Sequence, residues 1–167
     1  PQLIIKSRSA ERMPEADNAL RYEAAQRPDI TIQDSALTDE RQADLIAAAD
    51  VLVSLHRAEG YGLALAEAMG AGTIAMGTAW SGNLDFMTAS NSVLVPYQRV
   101  PASADLWNVP AGADWAEPDV SAAATEMQRL VNDQQWRDEL RATAFRDAGQ
   151  RHSFEVTSEW LSRVLAA

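Results

Sequence analysis

The sequence predicts an α/β fold in which helices cover both faces of a parallel sheet. Two observations lead to this prediction. Short apolar, β-branched runs alternate with longer segments whose apolar residues recur every three or four positions. The segments between successive apolar runs are long enough to hold a helix, as parallel strands require. The chain has 167 residues, 47% of them hydrophobic, so we expect a single globular domain over residues 1–167.

The first half of the chain shows the alternation most clearly. Residues 3–5 predict a strand buried on both faces, and residues 14–27 have a helical pattern. Residues 29–32 predict a second strand. Thr38 is the expected N-cap of a helix that ends near Ala49. Residues 50–55 form the clearest strand pattern in the sequence.

The second half continues the same order. A loop at residues 56–61 precedes a helix from Gly62 to about Met69, and residues 73–76 and 92–95 predict two more strands. Residues 98–118, which are rich in proline and hold two tryptophans, predict a long surface loop. Three helices follow at about residues 119–132, 134–149 and 154–166, with Asp133 and Ser153 as N-caps between them.

Composition excludes several classes of function. Lys and Arg number 14 against 24 Asp and Glu, and the resulting net charge of −10 argues against binding of nucleic acid. Cysteine is absent, which excludes disulfides and thiolate chemistry, and two histidines are too few for a histidine-rich metal site. No apolar run has the length of a membrane span, and no signal peptide opens the sequence. The acidic surface fits a cytoplasmic protein, and a cytoplasmic location is expected.

The segment that follows the clearest strand combines carboxylates with glycines. Glu59 lies in the predicted strand-to-helix loop, Gly60 and Gly62 precede the helix, and Glu67 follows within it. The free N–H groups of a helix N-terminus suit a diphosphate, and each carboxylate can accept hydrogen bonds from a sugar diol. This arrangement fits a nucleotide-sugar. On spacing alone, however, an ordinary glycine turn with two solvated carboxylates is the favoured interpretation.

Residues 59–63 and 67–69 resemble the E-x7-E signature of retaining glycosyltransferases of family 4 (glycosyl transferases group 1), which have the GT-B fold. The family commonly reads E-G-F-G-L and then E-A-M, where this chain reads E-G-Y-G-L and E-A-M. Residues 54–57, 81–87, 91–97 and 115–119 are similar to a bacterial subset often found in polysaccharide biosynthesis clusters. The resemblance therefore covers nearly the whole chain.

The resemblance implies a particular part of such an enzyme. It identifies the chain as the C-terminal, Rossmann-like, donor-binding domain, with residues 3–6 as the second strand of that domain. The domain's first strand and the acceptor-binding N-terminal domain are expected to lie outside this sequence. We therefore expect irregular strand pairing or an intermolecular contact beside residues 3–5, and no transferase activity from this chain alone.

The resemblance also assigns roles to individual residues. As the catalytic-site residue, Glu59 would bond hydroxyls of the transferred sugar, and Glu67 would hold the ribose hydroxyls of a GDP- or UDP-linked donor. The anomeric configuration would be retained, with the departing phosphate helping to deprotonate the acceptor. No metal and no separate cofactor is expected. The backbone contacts to sugar and phosphate oxygens would come from Gly60, Tyr61, Gly62 and Leu63.

Two further side chains are weaker candidates for the donor site. Lys6, the one lysine of the chain, ends a strand and is assigned to phosphate, although a plain surface lysine fits equally well. His56 is expected near the donor pocket, with a structural histidine as the alternative. The tryptophans are expected to pack rather than to stack on ligands, and Ser81, Gly82 and Asn83 to form a cap and turn near the site.

Alternatives to a hexosyltransferase remain open at this point. A nucleotide-sugar epimerase of the same fold would use a similar cleft, and a non-catalytic module would use the domain for binding or interaction alone. For the transferase, the expected partners are the nucleotide-sugar donor and a glycan or lipid-linked acceptor reached through the missing domain. Peripheral membrane association of the full-length protein is also compatible with the resemblance.

Overall fold

The computed structural model describes residues 1–7, 12–102, 110 and 112–165. Contacts within the chain divide it into two compact units, Pro1–Gln42 and Ala43–Ala167. The single domain expected over residues 1–167 stays a prediction.

The first unit contains two parallel strands and a helix. Strand β1 (Leu3–Lys6) pairs with β2 (Ile30–Gln33) in a register that places Leu3 beside Ile30, and helix α1 (Pro14–Ala25) connects them. These elements confirm the sequence prediction. Helix α2 (Asp39–Ala48) begins after Thr38, whose Oγ1 accepts a hydrogen bond of 3.3 Å from the Arg41 N–H, as expected of an N-cap.

The predicted burial of residues 3–5 on both faces is wrong. Leu3 is 46% exposed and Ile4 is 50% exposed. Within the described residues, β1 is hydrogen-bonded to β2 alone, and α1 has no buried residue. An apolar run is buried on two faces only where packed elements cover both of them, and the described part of this unit does not supply that cover.

The second unit is built on a three-stranded parallel sheet. Its order is β3 (Val51–Ser54), β4 (Ile74–Thr78) and β5 (Val93–Val95), with β4 in the middle and every residue of β4 buried. Helix α3 (Leu63–Gly70) connects β3 to β4, and a short 3₁₀ helix (Gly82–Asp85) follows β4. The predicted α/β class with parallel strands is confirmed.

Successive residues of β4 point to opposite faces of the sheet and enter two hydrophobic clusters. Ala75 packs with residues of α3, of the segment after β4 and of the C-terminal half of α5 (Gln134–His152). Ile74 and Met76 pack with β5, with α4 (Val120–Asn132) and with Leu140 of α5. The sheet thus has helices on both of its faces.

The three C-terminal helices follow the predicted order. Asp119 and Asp133 accept hydrogen bonds of 2.9 Å and 3.0 Å from the N–H groups of Ala122 and Trp136, so both are N-caps. Ser153 accepts one of 3.3 Å from the Val156 N–H before α6 (Phe154–Leu165). Helix α5 continues to His152, three residues beyond its predicted end. None of the described helices is long and apolar enough to cross a membrane.

The long loop predicted over residues 98–118 is wrong at its two ends, which are strands, while residues 103–109 and 111 of it lie outside the described residues. Strands β6 (Tyr97–Pro101) and β7 (Asp114–Pro118) pair antiparallel there, and this pair is called the hairpin below. The prolines suggested a loop, but Pro101 and Pro118 belong to the two terminal pairs of the ladder, where a missing N–H costs little. Trp115 and Ala116 lie in β7, whereas Trp107 lies outside the described residues.

Candidate functional site

The candidate site lies at the carboxyl edge of the three-stranded sheet. Ser54 of β3 is in register with Gly77 of β4, so the two parallel strands end side by side. Ligands of open α/β sheets bind outside the carboxyl ends of the strands. The chain there runs from β3 through residues 59–62, here termed the glycine loop, into α3.

Gly62 sets the geometry at the start of α3. Its φ of 91° and ψ of 46° lie in the left-handed region, and it is the N-cap residue of the helix. A Cβ at this position would lie 3.3 Å from both Asn83 Cβ and Leu65 Cδ1, so glycine is favoured sterically as well. The first intrahelical bond runs from the Ala66 N–H to the Gly62 carbonyl at 2.9 Å.

The N-terminal amides of α3 are therefore free to bind an anion. No side chain among the described residues caps the helix, and the N–H groups before Ala66 have no carbonyl one turn earlier in the helix. The exposed residues Leu63 and Ala64 lie in this first turn. Free amides and the positive end of the helix dipole together favour a phosphate group here.

The segment that follows β4 supports the glycine loop from behind. The Gly82 N–H and the Ser81 hydroxyl both donate to the Glu59 carbonyl, the former at 3.4 Å. A Cβ on Gly82 would lie 1.9 Å from the Gly60 carbonyl oxygen, so the two backbones are in direct contact. The turn predicted at residues 81–83 is present, but Ser81 makes no side-chain cap hydrogen bond to the 3₁₀ helix, so the predicted cap is wrong.

Ser81 has an unusual backbone conformation. Its φ of 82° and ψ of −156° fall in a region occupied almost entirely by glycine. Asn83, two residues farther along, is fully buried, and its side-chain amide donates a hydrogen bond of 3.0 Å to the Thr78 carbonyl. The Asn83 Oδ1 has no hydrogen-bond partner in the described residues. Strain and an unpaired buried acceptor thus occur together beside the glycine loop.

The two carboxylates of the motif have different surroundings. Glu59 is half-buried, and its Oε1 accepts a hydrogen bond of 2.9 Å from the adjacent Gly60 N–H. Glu67 is exposed on α3, and the described residues offer it neither a hydrogen bond nor an ion pair. It lies five residues beyond Gly62, which corresponds to roughly 7.5 Å along the helix axis.

His56 is used within the protein. Its Nδ1 lies 3.2 Å from the Ser54 hydroxyl and its Nε2 lies 3.0 Å from the Trp80 carbonyl. Because a carbonyl can only accept, Nε2 carries a proton, and Nδ1 of a neutral ring accepts from Ser54. The structure therefore places His56 at the sheet edge as a link between the segments after β3 and β4.

Arg57 connects the same segment to the hairpin. Its guanidinium forms two contacts with Glu117, at 2.6 Å and 3.0 Å, and lies 5.0 Å from the centre of the Trp115 ring. Its carbonyl accepts a hydrogen bond of 2.9 Å from the Ala116 N–H. Hydrogen bonding to Glu117 raises the pKa of Arg57 above its ordinary value.

Tyr61 joins the glycine loop to the end of α5. Its hydroxyl lies 2.6 Å from His152 Nε2, and its ring centre lies 5.1 Å from that of the buried Phe86. The sequence analysis did not identify His152 as a site residue. Ninety-one positions separate it from Tyr61, and its place in the last turn of a helix carried no signal that would connect the two.

Lys6 belongs to the first unit. It ends β1, and its Nζ donates to the adjacent Ser7 carbonyl at 3.0 Å. The phosphate role assigned to Lys6 stays a prediction. The glycine-loop residues, Leu63, Glu67 and His56 all belong to the second unit. Within the described ranges, no group of three His, Asp or Glu side chains could hold a metal ion.

Comparison with solved structures identifies the fold. HepE (Alr3699) from Anabaena, crystallised with UDP and glucose, matches 99% of this chain with a TM-score of 0.74 and 14% identity. Sucrose-phosphate synthase from Thermosynechococcus elongatus matches 99% of it with a TM-score of 0.74 and 21% identity. The C-terminal domain of the group 1 glycosyl transferase LpcC from Francisella tularensis matches 87% with a TM-score of 0.65 and 14% identity.

The chain has the fold of a C-terminal GT-B half. It spans 40% of the HepE chain and 38% of the sucrose-phosphate synthase chain. No protein-family model matches the sequence, and no curated protein sequence matches it. The predicted Rossmann-like α/β class is thus confirmed, while the identities leave activity and substrate to be argued from the site.

Proposed function

We propose that this chain is the donor-binding domain of a retaining glycosyltransferase, which moves a hexosyl group from a nucleotide-diphosphate sugar to an acceptor. The diphosphate would bind at the N-terminus of α3, the ribose at Glu67 and the hexose at Glu59. The principal support is the start of α3, where no described side chain caps the first amides after Gly62 and where Glu67 lies exposed farther along the same helix.

The glycine loop supplies backbone rather than side-chain chemistry in this proposal. The backbone of Gly60, Tyr61 and Gly62 would contact sugar and phosphate oxygens, and the Leu63 N–H would bind the diphosphate. These groups stabilise the charge that develops on the departing diphosphate, which is an electrostatic contribution to catalysis. The diphosphate would in turn help to deprotonate the acceptor on the same face of the sugar, which retains the anomeric configuration.

In this proposal Glu59 exchanges its partner when the donor binds. Its carboxylate is bonded to the Gly60 N–H, and two sugar hydroxyls can replace that single donor. The exchange turns the carboxylate toward the hexose and frees the Gly60 amide for an oxygen of the donor. Glu59 would thus position the sugar and stabilise the transition state electrostatically, without forming a covalent bond.

A UDP-linked donor is the first choice to test. HepE, whose fold this chain shares, was crystallised with UDP and with UDP-glucose. At the chain's low identity to HepE this likeness supports the choice of probe, and the base and sugar remain to be measured. A glycan or lipid-linked acceptor, peripheral membrane association of a longer protein and a cytoplasmic location are further parts of the proposal.

Calorimetry with the 167-residue chain tests donor binding directly. We expect UDP or GDP to bind with one-to-one stoichiometry, and the nucleoside without phosphates to bind far more weakly because it cannot use the α3 amides. The same chain should transfer no sugar to an acceptor, because catalysis needs donor and acceptor held together. Absence of binding by both nucleotides would contradict the proposed donor site.

A further inference from the structure

One contact of the glycine loop is not explained by donor binding itself. Tyr61 points its hydroxyl away from the backbone of the loop to His152, the last residue of α5. The separation of 2.6 Å is short for a hydrogen bond between a hydroxyl and a ring nitrogen. A contact of this kind fixes a side chain that lies between two glycines, where the backbone has the most freedom.

Three rings pack together at this point. Tyr61, Phe86 and His152 form what we term the aromatic cluster, in which the plane of the His152 ring is nearly perpendicular to the other two. Ring centres of His152 and Phe86 lie 5.7 Å apart, and those of Tyr61 and Phe86 lie 5.1 Å apart. Phe86 is 2% exposed and belongs to the hydrophobic core, so it gives the cluster a rigid base.

The other end of the contact belongs to a helix that packs in the core. Helix α5 contributes Leu140, Ala144 and Ala148 to the core, and α3 and the sheet pack against it. Partial burial of the ring and the neighbouring Arg151 lower the pKa of His152 below its ordinary value of 6.5. This shift favours the neutral ring, whose Nε2 can accept a hydrogen bond from the Tyr61 hydroxyl.

We propose that His152 is a positioning residue, which holds Tyr61 and thereby fixes the backbone of residues 60–62 in its binding conformation. The contact itself is independent of the proposed function, but its consequence for donor binding rests on that function. The loop is then held on two sides, by Gly82 and Ser81 behind Glu59 and by His152 beyond Tyr61.

Two substitutions remove the hydrogen bond while keeping both rings. Tyr61→Phe deletes the hydroxyl, and His152→Phe replaces the ring nitrogens but retains an aromatic ring against Phe86. Each change, and the double variant, should leave the chain folded. Gln150→Ala is the matched control, because Gln150 is exposed on the same helix end and makes no side-chain hydrogen bond among the described residues.

The first measurement needs no ligand. In nitrogen-15 NMR spectra, both single variants should shift the Gly60 and Gly62 amides and speed their hydrogen exchange. The double variant should match the single ones, because the variants remove one shared bond. Gln150→Ala should change none of these amides. Unchanged Gly60 and Gly62 signals in Tyr61→Phe and His152→Phe would overturn the proposed positioning role.

The second measurement links the contact to binding. With UDP as the probe, each single variant should bind about two- to tenfold more weakly, the value of one ordinary hydrogen bond. The double variant should bind no more weakly than either one. Additive losses would overturn the proposal. If the unaltered chain fails to bind UDP and GDP, the proposed function fails, while the amide signals still decide whether His152 positions the loop.

Discussion

The backbone of the glycine loop and the side chain of Glu67 are held in very different ways. The backbones of Gly60 and Gly82 are so close that a Cβ on Gly82 would lie 1.9 Å from the Gly60 carbonyl oxygen. Gly62 lies against Asn83 and Leu65. Glu67, by contrast, is exposed, and the described residues give it no partner. The closely packed part of the site is therefore main chain, and Glu67 is a side chain that the described residues leave free to move.

This difference separates two kinds of requirement. The close backbone contacts contribute to the stability of the folded chain, so changes there should be detected without a ligand. An exposed carboxylate without partners contributes little to stability, so a strong effect of its removal would have to come from what it binds. Substitutions in the two parts can therefore be told apart by comparing unfolding with nucleotide binding.

The largest effect is expected for Gly82→Ala. The added Cβ would meet the Gly60 oxygen at 1.9 Å and the Gly60 carbonyl carbon at 2.7 Å, and both are backbone atoms that cannot move aside alone. We expect a loss of about 3 kcal/mol or more in the free energy of unfolding, at the upper end for overpacked sites. Urea unfolding followed by circular dichroism measures this loss.

Gly149→Ala is the control for that measurement. Gly149 lies in α5, and a Cβ there would have no neighbour within 4 Å. Alanine in an exposed helical position should stabilise the chain by up to about 1 kcal/mol. If Gly82→Ala proved as stable as Gly149→Ala, the described contact between the two backbones would be wrong.

Glu67→Ala should affect binding and spare stability. Its unfolding free energy should stay within about 0.5 kcal/mol of the original. Loss of charge-assisted hydrogen bonds to a ribose diol would weaken UDP or GDP binding by about ten- to a hundredfold. Calorimetry measures this change, and Glu23→Ala, an exposed glutamate of α1, is the control. Unchanged nucleotide affinity would remove Glu67 from the proposed donor site.

Gly62→Ala should lower both the free energy of unfolding and the affinity for the nucleotide, with a smaller loss of stability than Gly82→Ala. The left-handed backbone disfavours alanine by about 1–2 kcal/mol, and the new Cβ would have to displace neighbours 3.3 Å away. Gly60→Ala is the matched control, because a Cβ on Gly60 meets nothing within 4 Å and its φ is not positive. We expect Gly62→Ala to unfold at lower urea than Gly60→Ala. Equal midpoints would contradict the described start of α3.

The order of helices and strands could be predicted because it depends on local patterns. These patterns each involve only a few neighbouring residues: the spacing of apolar side chains, N-caps such as Asp133, and the glycines before α3. The exposure of Leu3 and Ile4 could not be predicted, because burial depends on which elements cover the strand. The β6–β7 hairpin was missed because prolines at the ends of a ladder look the same in sequence as prolines of a loop.

The candidate site was predictable to a similar extent. The motif located the glycine loop and Glu67, because ligand-binding segments of this fold follow the strands directly in sequence. The groups that hold the loop come from distant parts of the chain. Gly82 lies more than twenty positions beyond Gly60, and His152 more than ninety beyond Tyr61. Such partners are determined by packing, which a single sequence does not display.

The smallest effect is expected at Ser81, where strain and a hydrogen bond oppose each other. Its backbone conformation costs about 1–3 kcal/mol for a residue other than glycine. Its hydroxyl donates to the Glu59 carbonyl, which contributes about 0.5–1.5 kcal/mol. Ser81→Ala loses the bond and keeps the strain, whereas Ser81→Gly loses both and should change the unfolding free energy by little.

Comparing these two variants by urea unfolding isolates the strain. Both variants lack the hydroxyl, so the difference between their free energies of unfolding measures how strongly the backbone at position 81 prefers glycine to alanine. We expect Ser81→Gly to be more stable than Ser81→Ala by about 1 kcal/mol or more. Two variants of equal stability would mean that Ser81 is unstrained. Ser81→Gly keeps the turn beside Glu59 but lacks the hydroxyl. If this variant is stable and binds UDP as tightly as the original chain, UDP binding requires the turn and does not require the Ser81 hydroxyl.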